Sequence, residues 1–129
     1  MSSRLLVAED EEINREVIEE MLLLIGLECD LVGNGQDAVE AALSGRYAVV
    51  LMDYQMPVMD GLEAATRIRV EEMRRREGGG PDARIPIIAM TGNVLNEDRN
   101  RGLVAGMDDY LTKPLRLDQL TATVKKWLK

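Results

Sequence analysis

The run Ala48-Val49-Val50-Leu51-Met52, closed by Asp53, does most to restrict what this chain can become. Five apolar residues in succession show no inside–outside alternation. They read as a strand buried on both faces, the kind a parallel sheet needs. Turn chemistry follows in Tyr54-Gln55-Met56-Pro57-Val58-Met59-Asp60-Gly61. Asp53 then emerges at the carboxyl edge of a sheet, where open α/β folds hold their ligands. A carboxylate there is a nucleophile, a metal ligand or an acid that starts a helix, and the rest of the chain has to decide which.

Strand-like and helix-like stretches alternate five times. The strands are predicted at Leu5 to Ala8, Glu28 to Val32, Ala48 to Met52, Ile87 to Met90 and Asp108 to Leu111. The first helix is predicted at Glu11 to Ile25, with Ile13, Val17, Met21, Leu22 and Ile25 as its apolar face and Gly26 as its stop. Asn34 is placed to cap the second helix and Asp60 the third, with Asp37 and Glu63 three residues on. A fourth, polar helix is expected at about Val94 to Val104, with few residues to anchor it, and so mobile. The fifth carries Leu117, Leu120, Val124 and Leu128 on one stripe. Arg74 to Arg84, with Gly78-Gly79-Gly80-Pro81, reads as a flexible loop within one domain covering residues 1–129.

Strict alternation implies parallel strands with helices on both faces. Glu28 and Asp30 suit an edge strand, whereas strands one and three are almost purely aliphatic and belong in the centre. The fold class expected is therefore α/β, a flavodoxin-like (βα)5 doubly wound sheet in the order 2-1-3-4-5.

Composition narrows the chemistry. Histidine is absent and Cys29 is the only cysteine. That excludes Ser-His-Asp catalysis, thiolate clusters and a phosphohistidine step within the chain. The net charge of −7 argues against direct nucleic-acid binding. The charge is uneven, with 11 acidic and 2 basic residues in positions 1–40. No apolar stretch has the length of a bilayer crossing. Met1-Ser2-Ser3-Arg4 leads directly into a strand, without a secretory pattern. A cytoplasmic module inserted in no membrane is the expectation.

The other strand ends complete a constellation. Strand one runs into Glu9-Asp10, strand four into Thr91, and strand five leads to Lys113-Pro114. With Asp53 this brings three acids, a hydroxyl and a lysine to one edge. Clustered carboxylates need compensating positive charge, which Lys113 and a hard divalent cation such as Mg2+ supply. A carboxylate beside a metal, an ammonium and a hydroxyl suits phosphoryl transfer onto aspartate.

Four blocks carry a family resemblance: Val7-Ala8-Glu9-Asp10; Leu51-Met52-Asp53 through Asp60-Gly61; Ile85 through Thr91; and Ala105-Gly106-Met107-Asp108-Asp109-Tyr110-Leu111-Thr112-Lys113-Pro114. In this order and spacing, over essentially the whole chain, the sequence resembles receiver domains of two-component response regulators. The Asp-x-Gln-Met-Pro-x-Met-Asp-Gly form is similar to receivers of hybrid sensor histidine kinases.

The resemblance implies a phosphorelay role in which Asp53 is the phosphoacceptor. It implies Mg2+ held by Asp10, Asp53, the backbone carbonyl of Gln55 and, through water, Glu9. Thr91 would turn toward the phosphoryl group, Tyr110 would follow Thr91, Lys113 would pair with the group, and the Lys113-Pro114 peptide would be cis. The phosphodonor would be a histidine kinase or a histidine phosphotransfer domain, docking near Asn14 and the exposed side of the first helix. Output, with a possible homodimer, would use the face of helix four, strand five and helix five. Such a domain promotes its own phosphorylation and dephosphorylation without being an enzyme of the ordinary kind. Glu9 stands where that family most often has aspartate, and Met90 and Gly92 are less common neighbours of Thr91.

Two other readings fit parts of the chain. An interaction module that is never phosphorylated would keep the fold, but the intact acids, Thr91 and Lys113 speak against it. A phosphatase or nucleotide-binding enzyme would need a Gly-rich phosphate loop after strand one or a second acid in place of Gln55.

Overall fold

A computed structural model describes residues 4–80, 82–92 and 96–128, and in 96–100 the backbone alone. Met1 to Ser3, Pro81 and the expected helix start at Val94 lie outside the described residues. The elements are β1 (Leu5–Ala8), α1 (Glu12–Leu24), β2 (Cys29–Val32), α2 (Gly35–Ala42), β3 (Val49–Asp53), α3 (Gly61–Glu77), β4 (Ile87–Thr91), α4 (Asn96–Ala105), β5 (Asp109–Thr112) and α5 (Leu117–Trp127). All strand pairs are parallel, in the order β2-β1-β3-β4-β5. The aliphatic strands β1, β3 and β4 are buried throughout, and β2, which carries Asp30, is an edge.

The pleat sorts each strand into two cores. Leu6, Ala8, Val50, Met52, Ile87 and Ala89 face α2 and α3, and Ala105 of α4 packs against the same cluster. Leu5, Val7, Val49, Leu51, Ile88 and Met90 face α1 and α5. The expected helix caps form: Asn34 Oδ1 accepts from Asp37 N at 2.8 Å and Asp60 Oδ1 from Glu63 N at 2.8 Å. Each stabilises its helix by about 1 kcal/mol. Gly26, with φ +81°, closes α1, and Leu27 N reaches back to Leu22 O at 2.9 Å.

The expected apolar face of α1 needs correcting. Ile18 and Leu22 are buried, with Met21 and Ile25 packed beside them, whereas Ile13 and Val17 are 74% and 47% exposed. Ile18, Leu22 and Ile25 follow the i, i+4, i+7 line onto the sheet. Ile13 and Val17 lie one residue step, about 100°, around the helix. They form a separate exposed strip. Leu117 departs likewise on α5, being exposed while Leu120 and Val124 are buried.

An ion network fastens the edge of the sheet opposite Asp53. Arg69 on α3 donates to Glu72 Oε1 at 2.8 Å, Asp108 Oδ2 at 2.7 Å and the Gly106 carbonyl at 2.8 Å. Asp108 also accepts from Ile87 N and Arg84, each at 2.8 Å, and Glu72 accepts from Ile85 N at 2.8 Å. The side chains of Arg69, Glu72 and Asp108 are only 12%, 12% and 11% exposed.

The connection after β3 contains one strained residue. Val58 has φ +68°, and Met59 N closes onto Pro57 O at 2.7 Å around it. A β-branched residue in the left-handed region costs about 1–3 kcal/mol. Its side chain is 84% exposed and adds little packing. Val58→Gly should therefore raise stability by about 1 kcal/mol, after allowing for glycine's freedom in the unfolded chain. A urea midpoint no higher than that of the wild type would remove strain as the explanation.

Candidate functional site

Three strand ends and one loop build the site. Asp53 is the last residue of β3, and its backbone is fixed from two sides. Tyr54 N donates to Met90 O of β4 at 3.2 Å, and Gly61 N donates to Tyr54 O at 2.9 Å. A Cβ at position 61 would strike the Asp53 carbonyl, so glycine is what lets α3 start this close. The Asp53 side chain is 8% exposed.

Lys113, following β5, donates to Asp53 Oδ2 at 2.8 Å and to Glu9 Oε1 at 3.0 Å. Its position is set by Lys113 N donating to Thr91 O at 2.7 Å. The Lys113–Pro114 peptide is cis. Asp53 Oδ1 receives a longer bond, 3.3 Å, from Gln55 N.

Glu9 is fully buried behind Asp53, and its Oε2 has no protein hydrogen-bond partner. A buried carboxylate oxygen without a donor is costly to ionise. Burial pushes the Glu9 carboxyl up to about 7, the Asp53 carboxyl adds to the rise, and Lys113 opposes it. For Lys113, burial disfavours the charge, but its bonds to Asp53 and Glu9 outweigh that and hold the proton more tightly than in a free lysine.

Asp10 is exposed at the mouth. Glu9, Asp10 and Asp53 each offer a carboxylate oxygen, and these oxygens lie within 4.8 Å of one another. Three convergent hard oxygen donors with one orphaned buried lone pair fit a small divalent cation, by the chemistry of the donor set.

In front of Asp53 lies a cleft of about 900 Å³ lined by Asp10, Gln55, Thr91, Gly92, Arg101 and Lys113, among others. Thr91 is buried at its floor. The arrangement can hold a cation and an added oxyanion beside the Asp53 carboxylate. Six of the expected site residues, Glu9, Asp10, Asp53, Gln55, Thr91 and Lys113, thus converge. Tyr110 does not line this cleft. It lines a neighbouring cavity under α4 with Ala89, Gly102 and Leu103, and Tyr54 borders both spaces. Pro114 faces a groove on the α1 side with Asn14, Val17 and Leu115. Arg101 in the cleft was not expected from the sequence, since in a polar helix one arginine carries no signal of its own.

Comparison with known proteins agrees with this geometry. A family model described as the response regulator receiver domain matches residues 5–125. The hybrid signal transduction histidine kinase G of Dictyostelium discoideum is 37% identical over 96% of this chain, and the sensor protein GacS of Pseudomonas syringae pv. syringae is also 37% identical over 96%. The chain spans 4% and 13% of the lengths of those two relatives.

Among solved structures, the receiver domain of sensor histidine kinase PA1611 from Pseudomonas aeruginosa has a TM-score of 0.82 and 40% identity, over 99% of this chain and 98% of its own. That structure carries a magnesium ion in its active site cleft. A second is the Saccharomyces cerevisiae complex of the histidine phosphotransfer protein Ypd1 with the receiver domain of Ssk1. It has a TM-score of 0.90 and 31% identity over 98% of this chain and 89% of that one. No described helix is long and apolar enough to cross a membrane.

Proposed function

The chain belongs to the response regulator receiver domain family, and on that premise we propose that it takes a phosphoryl group onto Asp53 from a phosphohistidine on a partner. The carrying observation is the buried Asp53 carboxylate hydrogen-bonded to Lys113 at the edge where Glu9, Asp10 and Thr91 meet. In the transfer, an Asp53 oxygen forms a bond to phosphorus while the donor's phosphorus–nitrogen bond breaks. The donor imidazole leaves with that electron pair and takes up a proton. Lys113, already directed at Asp53, balances charge on the phosphoryl oxygens, and the Thr91 hydroxyl becomes a donor to one of them.

Glu9, Asp10, Asp53 and the Gln55 carbonyl are the proposed holders of Mg2+, which when bound offsets the negative charge of the acids and the incoming group. The reading gains support from the orphaned Glu9 oxygen and from the magnesium in the PA1611 receiver. Tyr110 is the proposed follower of Thr91, and its position beneath α4 beside Tyr54 gives a side-chain movement there a route to that helix. The whole chain is proposed as a single receiver domain acting in the cytoplasm. The expected homodimer through the α4–β5–α5 face draws no support from these observations.

The donor is proposed to dock on the exposed strip of Ile13 and Val17, beside the groove of Asn14, Pro114 and Leu115. The strip adjoins the Asp53 edge and is apolar without packing inward. The complex of Ypd1 with the Ssk1 receiver supplies the type of partner.

Intact-mass analysis after incubation with acetyl phosphate tests the reading. A single phosphoryl adduct that requires magnesium is expected. Ile13→Asp with Val17→Asp should keep that adduct yet lose transfer from a phosphorylated histidine phosphotransfer protein. No adduct and no beryllofluoride binding on a folded, magnesium-loaded chain would leave the interaction-module reading in its place.

Glu9 adds a pH dependence. Its raised pKa means that its protonated form favours the metal-free fold. That contribution is complete below the ordinary glutamate value and is lost as pH rises through about 7. A cation needs Glu9 ionised, so magnesium affinity should rise about tenfold between pH 6 and pH 8. Calorimetric titration at the two pH values reads this, and Glu9→Gln should flatten it. Equal affinities for the wild type at both would refute the assignment.

A further inference from the structure

Among the described residues that line the cleft, two carry positive charge, Lys113 and Arg101, against the acids Asp10, Glu11, Asp53 and Asp60. Lys113 is already shared between Asp53 and Glu9. A phosphoryl group on Asp53 replaces a single negative charge with about two and brings three acceptor oxygens. Lys113 has one N–H left for them. A guanidinium offers a planar fork that matches two phosphoryl oxygens at once.

The backbone explains why Arg101 is there. At position 102 a Cβ would meet the Tyr54 hydroxyl, the movable tip of that side chain, at less than contact distance. Glycine therefore lets α4 lie directly against the side chain that follows the phosphoacceptor, and Arg101 is carried to the cleft one residue earlier. Gly102 is buried, while Leu103 and Val104 are 63% and 89% exposed. Among the described side chains of α4, Ala105 packs against the core and Gly102 makes the close contact, while Leu103 and Val104 face outward. A strong new contact at Arg101 has leverage over such a helix.

We propose that Arg101 binds the phosphoryl group on Asp53 and so ties α4 to the phosphorylated state. The inference rests on the phosphoacceptor reading and adds a phosphoryl-binding residue to it. Arg101 already has an interaction within the fold before phosphorylation, and the phosphoryl group is a further, doubly charged partner for it.

Beryllofluoride titration with saturating magnesium tests this, on the wild type, Arg101→Ala, Arg101→Lys and, as a control for lost charge, Arg67→Ala on the exposed side of α3. Affinity should fall about tenfold in Arg101→Ala, the loss of one charge-assisted contact. Arg101→Lys should recover part of it, and Arg67→Ala should match the wild type. Magnesium alone should bind Arg101→Ala at least as tightly as the wild type, because a competing cation has gone.

Amide exchange at residues 101–105 should slow on beryllofluoride binding in the wild type and not in Arg101→Ala. Unchanged beryllofluoride affinity in Arg101→Ala, or an equal loss in Arg67→Ala, would overturn the role of Arg101 alone. So would an equal fall in magnesium affinity, which would signal a damaged cleft. A wild type that binds no beryllofluoride would instead remove the phosphoacceptor reading, and this inference with it.

Discussion

Asp53→Asn should gain no phosphoryl group where the wild type gains one, and should fold at least as stably. The first half follows from the nucleophile. An amide oxygen does not attack phosphorus under these conditions, and Asp53 is the carboxylate on which Lys113 is directed. The second half follows from crowding. Asp53 and Glu9 share one ammonium, and the Asp53 carboxyl adds to the rise in the Glu9 pKa. Removing the Asp53 charge leaves Lys113 to Glu9 alone. Intact mass reads the first effect, and thermal melting without metal at pH 8, where Glu9 is mostly ionised, reads the second. An adduct that persists in the variant would move the phosphoacceptor elsewhere. A lower melting temperature would refute the account of the charges.

Asp108→Ala should cost about 3–5 kcal/mol of folding stability. Asp108 receives Arg69, Arg84 and the backbone of Ile87, and it is 11% exposed. Its loss leaves the Arg69 guanidinium, itself 12% exposed, with Glu72 and one carbonyl, and leaves the Ile87 amide without its acceptor. The costly part is the set of buried donors, on Arg69 and the Ile87 amide, that lose their acceptor. A double substitution, Arg69→Met with Asp108→Leu, should cost at least as much, because it leaves the Glu72 carboxylate, 12% exposed, without its cation and the Ile87 amide still without an acceptor. Urea unfolding of the single and double variants measures the difference. A loss below about 1 kcal/mol for Asp108→Ala would demote the network to a surface feature.

The strand ends were legible in the sequence because aliphatic runs stop abruptly at Asp53, at Glu9 and at Thr91. A parallel sheet brings all such stops to one edge, so the order of strands and the converging acids could be read together. The caps at Asn34 and Asp60 were legible because they depend on residues three apart. The face of α1 was misread: Ile13 and Val17 keep helical spacing with Met21, and only the packed sheet distinguishes their line from that of Ile18 and Leu22. The ion network escaped because Arg69 and Asp108 are 39 residues apart, and sequence shows each only as a charge. Arg101 escaped for the same reason. Its meaning comes from Gly102 letting a helix approach Tyr54, which is a fact of contact.

The glycine-rich connection of residues 78–80 leaves α3 at the end of the sheet away from the cleft, and the chain after it is held by ion pairs of Asp82 with Arg76 of α3 and of Arg84 with Asp108, just ahead of β5. Circular permutation or insertion of a fluorescent reporter at that connection would leave every residue of the Asp53 cleft on its original scaffold. The architecture thus offers a site for converting this domain into an optical readout of its own charge state.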